Sequence, residues 1–161
     1  VKGPAGERAI PLAEFHRLPG DQPERDNILE PGEIVTAVEL PPRGFAAHPT
    51  YLKTRDRQSY SFALVSVAAG LEMEGEAIGA ARIALGGVAH KPWRVAEAEE
   101  MLRWRAPDPA AFAAAADRIL HGARGYAHNA FKIELARRAV ARALAQAAAG
   151  TPQSQTDKRI R

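Results

Sequence analysis

Hydrophobic and polar positions alternate along the middle of the chain and repeat near every third or fourth residue after it. Residues 33–40, EIVTAVEL, put Ile34, Thr36, Val38 and Leu40 on one face and Val35, Ala37 and Glu39 on the other, a strand pattern stopped by Pro41-Pro42. Residues 61–73 place Phe62, Leu64, Ser66, Ala68 and Gly70 opposite Ala63, Val65, Val67, Ala69 and Leu71. Both sides are apolar or small, so this strand is expected to be covered on both. Glu74-Gly75-Glu76 turns the chain. Residues 77–86 return, with Ile78, Ala80, Arg82 and Ala84 against Ala81, Ile83 and Leu85, completing a hairpin. Residues 7–12 read as a short strand. Residues 13–33 are punctuated by Pro19-Gly20, Pro23 and Pro31-Gly32, leaving a loop with one helical turn at residues 12–15.

The period then changes. Val95, Ala98 and Leu102 predict a helix over residues 95–103. Asp108-Pro109 has the form of a cap followed by a first-turn proline, opening a helix to about His121 with Phe112, Ala116, Ile119 and Leu120 inward. Gly122 and Gly125 end it. Asn129 is placed to cap a last helix over residues 130–149, with Ile133, Leu135, Ala136, Val140 and Leu144 apolar, and Gly150 stops it. Residues 151–161 are polar and read as a disordered tail. Strands first and helices after argue for an α+β domain, the helices covering one face of an antiparallel sheet.

At 161 residues the chain is one domain, or one small domain with an arm. It has no cysteine, which excludes disulfides, cysteine-ligated iron–sulfur clusters and cysteine nucleophiles within it. The net charge of +3 is spread rather than blocked, so no nucleic-acid face is indicated. No apolar run is long enough to span a membrane. The first residue is not methionine and no signal-peptide core follows, so the expectation is a piece of a longer chain.

The histidines His16, His48, His90, His121 and His128 share no helix-face spacing, so no metal site is expected. No G-x-S-x-G elbow occurs, and no catalytic residue is assigned. Glu99-Glu100 reads as a solvated pair. Gly86-Gly87 lacks the spacing of a dinucleotide-binding fingerprint and reads as a tight turn. Lys53 and Arg57 stand four residues apart beside Tyr51 and Tyr60, where the chain enters the sheet. They either face an anionic ligand or reduced ring, or form a solvated basic loop.

Several segments, taken in order, resemble the C-terminal part of the FAD-binding, or medium, subunit of the molybdenum hydroxylases. That family includes xanthine dehydrogenase, carbon monoxide dehydrogenase and the aldehyde oxidoreductases. LEPGEIVTAVELP is similar to the family's L-x-P-x-E-I strand, YLKTRDRQSYSFALVSVAAGL to its K-x-x-x-R entry, ALGGVAHKP to its GG-V/M-A turn, and NAFKIELARRAVARAL to its terminal helix. The opening residues look closest to the three-subunit bacterial aldehyde-oxidoreductase branch.

The resemblance implies a three-stranded antiparallel sheet packed on a three-helix bundle at residues 46–150, after a remnant of the FAD-binding domain at residues 1–45. It implies that Val35, with Ile34 beside it, packs near the flavin ring. Lys53 and Arg57 match the cations of the entry motif, and Tyr60 lies in the segment bordering the flavin. That segment is acidic in xanthine dehydrogenase and is Ser59-Tyr60-Ser61 here, which favours an aldehyde oxidoreductase with an acceptor other than NAD.

The implied cofactors are FAD in the intact subunit, and a molybdenum cofactor and iron–sulfur clusters on partner subunits. The family's glycine-rich pyrophosphate loops are not in this sequence, so the piece alone is expected to be inactive and to hold FAD weakly. The implied partners are the molybdenum subunit, the iron–sulfur subunit and the N-terminal FAD-binding half. A cytoplasmic location is expected, or a periplasmic one if a partner carries the export signal. The rival reading is a non-enzymatic module that docks partner chains.

Overall fold

The computed structural model describes residues 1–40, 44–57 and 59–150. The reading of residues 151–161 as a tail falls outside them. The chain divides into two compact units, Val1–Arg43 with Ala89–Pro92, and Gly44–Val88 with the chain from Trp93 onward.

The first unit has little regular structure. β1 (Lys2–Gly3) and β2 (Gly6–Glu7) pair antiparallel, and α1 (Leu12–Phe15) is a single turn. The helical turn at residues 12–15 is therefore present. The strand expected over residues 7–12 is not, since β2 ends at Glu7 and Leu12 already opens α1. Residues 33–40 form no strand either. Only Ile34 is paired, through reciprocal backbone hydrogen bonds of 2.9 Å with Lys2, and the described residues supply no further partner for this segment. Arg8 fixes its start, donating to Glu33 through Nε and Nη2 at 2.8 and 2.7 Å.

The second unit is the α+β domain. β3 (Pro49–Thr54), β4 (Val65–Glu74) and β5 (Ala77–Gly86) form an antiparallel sheet in the order β3-β4-β5. β3 occupies residues expected to be loop and basic entry. Its alternation is short, but Thr50 and Leu52 are buried and tie it to β4. Leu52, Val67 and Leu85 form one cross-strand row on the inner face, with Ala69 and Ile83 beside them, and all are buried.

Two of the three helices meet the sheet directly and the third packs on them. α4 (Phe131–Ala148) runs across β3 and β4, α2 (Ala96–Glu100) lies against β5, and α3 (Pro109–Ile119) packs on α4 and α2. Alanine dominates the helix contacts: Ala111, Ala115, Ala116, Ala136, Ala139, Ala143 and Ala147 are all buried, and small side chains let backbones approach closely. Asp108 caps α3, its Oδ1 accepting from Ala111 N at 2.8 Å, with Pro109 in the first turn. Asn129 does not cap α4. Its Oδ1 accepts from Tyr126 N instead, and Ala130 occupies the cap position. Gly150, at φ +67, follows the last turn.

Two side chains depart from the expected pattern. Ile78 was placed on the face of Ala80 and Arg82, yet it is fully buried with Ala81, Ile83 and Leu85. The register shifts there, with Glu72 opposite Ala80 but Met73 opposite Ile78, so Gly79 is an extra residue. One inserted residue exchanges the faces on either side of it. The backbone of Ile78 bonds outward, to Arg105 O and Trp104 N at 2.9 and 2.7 Å. Glu99, expected in solvent, is only 4% exposed. It accepts from Arg94 Nε and Nη2 at 2.7 and 2.6 Å and from Ile83 N at 2.9 Å, joining α2 to β5.

Among the described residues no helix is long and apolar enough to cross a membrane.

Candidate functional site

Alternation along β3 decides where Lys53 stands. Leu52 is buried under the helices, so Lys53 belongs to the outer face, in a row with Ser66 of β4 and Gly86 of β5. The space over Gly86 is taken by Ser66, whose Oγ would lie 2.5 Å from a side-chain carbon there. The next row holds Tyr51, Ala68 and Ala84, again small at the centre. Beyond it the face is filled by Phe45, which lies against Gly70 and under the Arg82 guanidinium at 5.4 Å. The outer face is thus covered by Phe45 at one end and exposed at Tyr51 and Ala68, while at the other end Ser66 is buried and Lys53 is partly exposed.

The segment leaving β3 adds charge to the Lys53 end. Lys53 and Arg55 are partly exposed and Asp56 and Arg57 exposed. Among the described residues, no carboxylate lies in ion-pair range of Lys53, Arg55 or Arg57. Arg57 Nη2 donates to the carbonyl of Tyr60, and its guanidinium stands 6.0 Å from the Tyr60 ring centroid. That contact curls the segment and puts Tyr60 at φ +51 with its ring 94% exposed. Phe62 is equally exposed. Three of the candidate residues therefore share one end of one sheet, presenting unpaired cations and a flat ring. Such a surface favours a planar ligand that carries or gains negative charge.

Ile34 and Val35 belong to the first unit. Ile34 is held by its backbone bonds to Lys2, while both side chains are half or more exposed. Val38 and Leu40 continue the exposed aliphatic run. Such a run is suited to packing against an apolar or aromatic surface. Among the described residues no group of three His, Asp or Glu side chains gathers to hold a metal ion.

The family described as "CO dehydrogenase flavoprotein C-terminal domain" matches residues 50–147, from β3 to the last turn of α4. The chain belongs to this family. Its β3-β4-β5 sheet and three covering helices are the family's domain in this protein.

Similar proteins agree. The chain is 45% identical over 142 residues to the aldehyde oxidoreductase FAD-binding subunit PaoB of Escherichia coli (strain K12), a match covering 88% of this chain and 41% of PaoB. Among solved structures, quinoline 2-oxidoreductase from Pseudomonas putida 86 aligns with a TM-score of 0.60 at 32% identity, over 65% of this chain and 38% of that one. Reconstituted CO dehydrogenase from Oligotropha carboxidovorans aligns with a TM-score of 0.78 at 25% identity, over 92% and 51%. The chain thus spans well under two thirds of the length of each of these relatives.

Sequence reasoning missed Ser66, Gly86 and Lys132 as neighbours of the candidate site. Ser66 and Gly86 enter through strand register, and Lys132 through a hydrogen bond to Gly87 O from 45 residues away.

Proposed function

We propose that this flavoprotein C-terminal domain serves in the FAD subunit of a molybdenum-dependent aldehyde oxidoreductase, walling one side of the flavin. The observation that carries the reading is Lys53, an outer-face cation without a carboxylate partner among the described residues, at the end of the row that Ser66 and Gly86 complete. The likeness to PaoB supports the aldehyde class.

Bound FAD supplies a ring that takes up electrons and passes them to an acceptor. The chain's part is electrostatic and steric. Lys53 and Arg57 lower the energy of negative charge on the reduced ring. Tyr60 offers a flat face, and Ile34 with Val35 offers an aliphatic one that excludes water. In this reading residues 1–45 finish the FAD-binding domain and residues 46–150 form the C-terminal domain. The rest of the FAD-binding half, the molybdenum-cofactor subunit and the iron–sulfur subunit are the partners. The complex is assigned to the cytoplasm.

The test is the flavin reduction potential of the assembled complex carrying Lys53→Met. A cation that stabilises the reduced ring makes the potential more negative when it is removed, with aldehyde oxidation at the molybdenum subunit unchanged. An unchanged potential together with impaired assembly would support the docking-module reading instead, which the fully exposed Tyr60 and Phe62 favour.

A further inference from the structure

The segment that carries Arg57 and Tyr60 is wedged at its base. Leu64 N donates to Thr54 O at 2.8 Å, so the segment leaves β3 and rejoins the sheet at adjacent points. On its other side stands Gly87, at φ +76. A side-chain carbon on Gly87 would lie 2.9 Å from the carbonyl oxygen of Leu64 and 3.2 Å from that of Ala63. Both are backbone atoms and cannot swing aside, so the Gly87 backbone and the base of the segment are in close contact.

Gly87 is itself held from a third element. Lys132, in the first turn of α4, donates from Nζ to the Gly87 carbonyl at 2.6 Å. A bond from an ammonium is stronger than a neutral one. The buried stripe of α4 is Ala136, Ala139, Val140, Ala143, Leu144 and Ala147, and Lys132 is outside it. Packing of the helix gives no reason for a cation at that position, whereas the Gly87 carbonyl does.

We infer that Lys132 is a positioning residue for the segment bearing Arg57 and Tyr60, acting through Gly87. It clamps the end of β5 against the carbonyls of Ala63 and Leu64, and so limits how far Arg57 can move from the Lys53 end of the sheet. The functional half of the inference rests on the flavin reading above.

The test uses the full-length flavin subunit in its assembled complex, with Lys132→Met, Lys132→Arg and Lys53→Met compared. Hydrogen exchange of the amides at residues 55–64 is expected to quicken about tenfold in Lys132→Met, the loss of one charge-assisted bond. Exchange in the middle of β4 should stay as it was. Lys132→Arg restores slow exchange. The flavin potential of Lys132→Met moves in the same direction as that of Lys53→Met, and by less. Unchanged exchange at residues 55–64, or loosening confined to the first turn of α4, overturns the inference. If the segment loosens while Lys53→Met leaves the potential unaltered, the flavin reading fails and the positioning role stands.

Discussion

Replacing Arg94 by methionine tests whether the Glu99 junction is a structural tie. The carboxylate of Glu99 is only 4% exposed and takes two short bonds from Arg94 and one from Ile83 N. Its remaining cation, Arg82, is at 3.7 Å through Nη1. The Arg94 side chain is 48% exposed, and the Glu99 carboxylate raises its pKa through their hydrogen bonds. Removing one partner of a fully buried pair costs about 3–5 kcal/mol. Half-exposure of Arg94 and the nearby Arg82 reduce this, so about 2–3 kcal/mol is expected for Arg94→Met. Glu99→Leu removes the charge but leaves Ile83 N–H unpaired, at about 1–3 kcal/mol. The double variant should cost much less than the sum, because no unpaired carboxylate is left behind. Urea unfolding with the slope held constant reads these differences. A loss below about 1 kcal/mol for Arg94→Met, in the range of exposed ion pairs, would refute the tie between α2 and β5.

Two further outcomes follow from local geometry. Asp108→Ala removes the side-chain acceptor bonded to the first turn of α3 and should cost about 1 kcal/mol in the same unfolding assay, while Asp108→Asn should cost little. In the first unit, the bonds from Arg8 and the Glu30 amide hold Glu33 down from 4.5 to about 2. Because the folded pKa is the lower one, the contribution is complete above pH 4.5 and is lost as pH falls toward about 2. A carboxyl NMR titration of Glu33 should show this, and Arg8→Met should return the midpoint toward the ordinary carboxylate range.

The domain's helices and hairpin were legible because each carries its own signal. Asp108-Pro109 marks a helix start chemically, and the stripe of α4 repeats at helical spacing. The β4–β5 hairpin alternates on both sides of a glycine turn. Residues 33–40 alternate just as well and still form no strand, because alternation states which face a segment would bury and not whether a neighbour is there to pair with it. β3 was hidden by its charged end, and only register to β4 reveals it. Glu99 looks like any helix-surface acid until the approach of Arg94 and Ile83 N is known. Within the candidate site, Lys53, Arg57 and Tyr60 stand close in sequence, so their nearness at one end of the sheet was readable. That of Ser66, Gly86 and Lys132 was not, since cross-strand register and a contact 45 residues away leave no local trace. The Asn129 misassignment has the same root. An asparagine before a helix has two backbone partners within reach, and here Tyr126 N takes it.

The extra residue at Gly79 behaves like a frameshift written in side chains. On the far side of it Ile78 is in phase with the core only because the count has slipped by one. Deleting Gly79 would restore plain alternation from Ala81 through Ala80 to Ile78, so Ile78 would still face the core opposite Met73, now without the bulge. A relative whose hairpin lacks this one residue would therefore keep its large core residue at the same distance from the turn. An alignment of the family that places its gap anywhere else in β5 will pair buried positions with exposed ones.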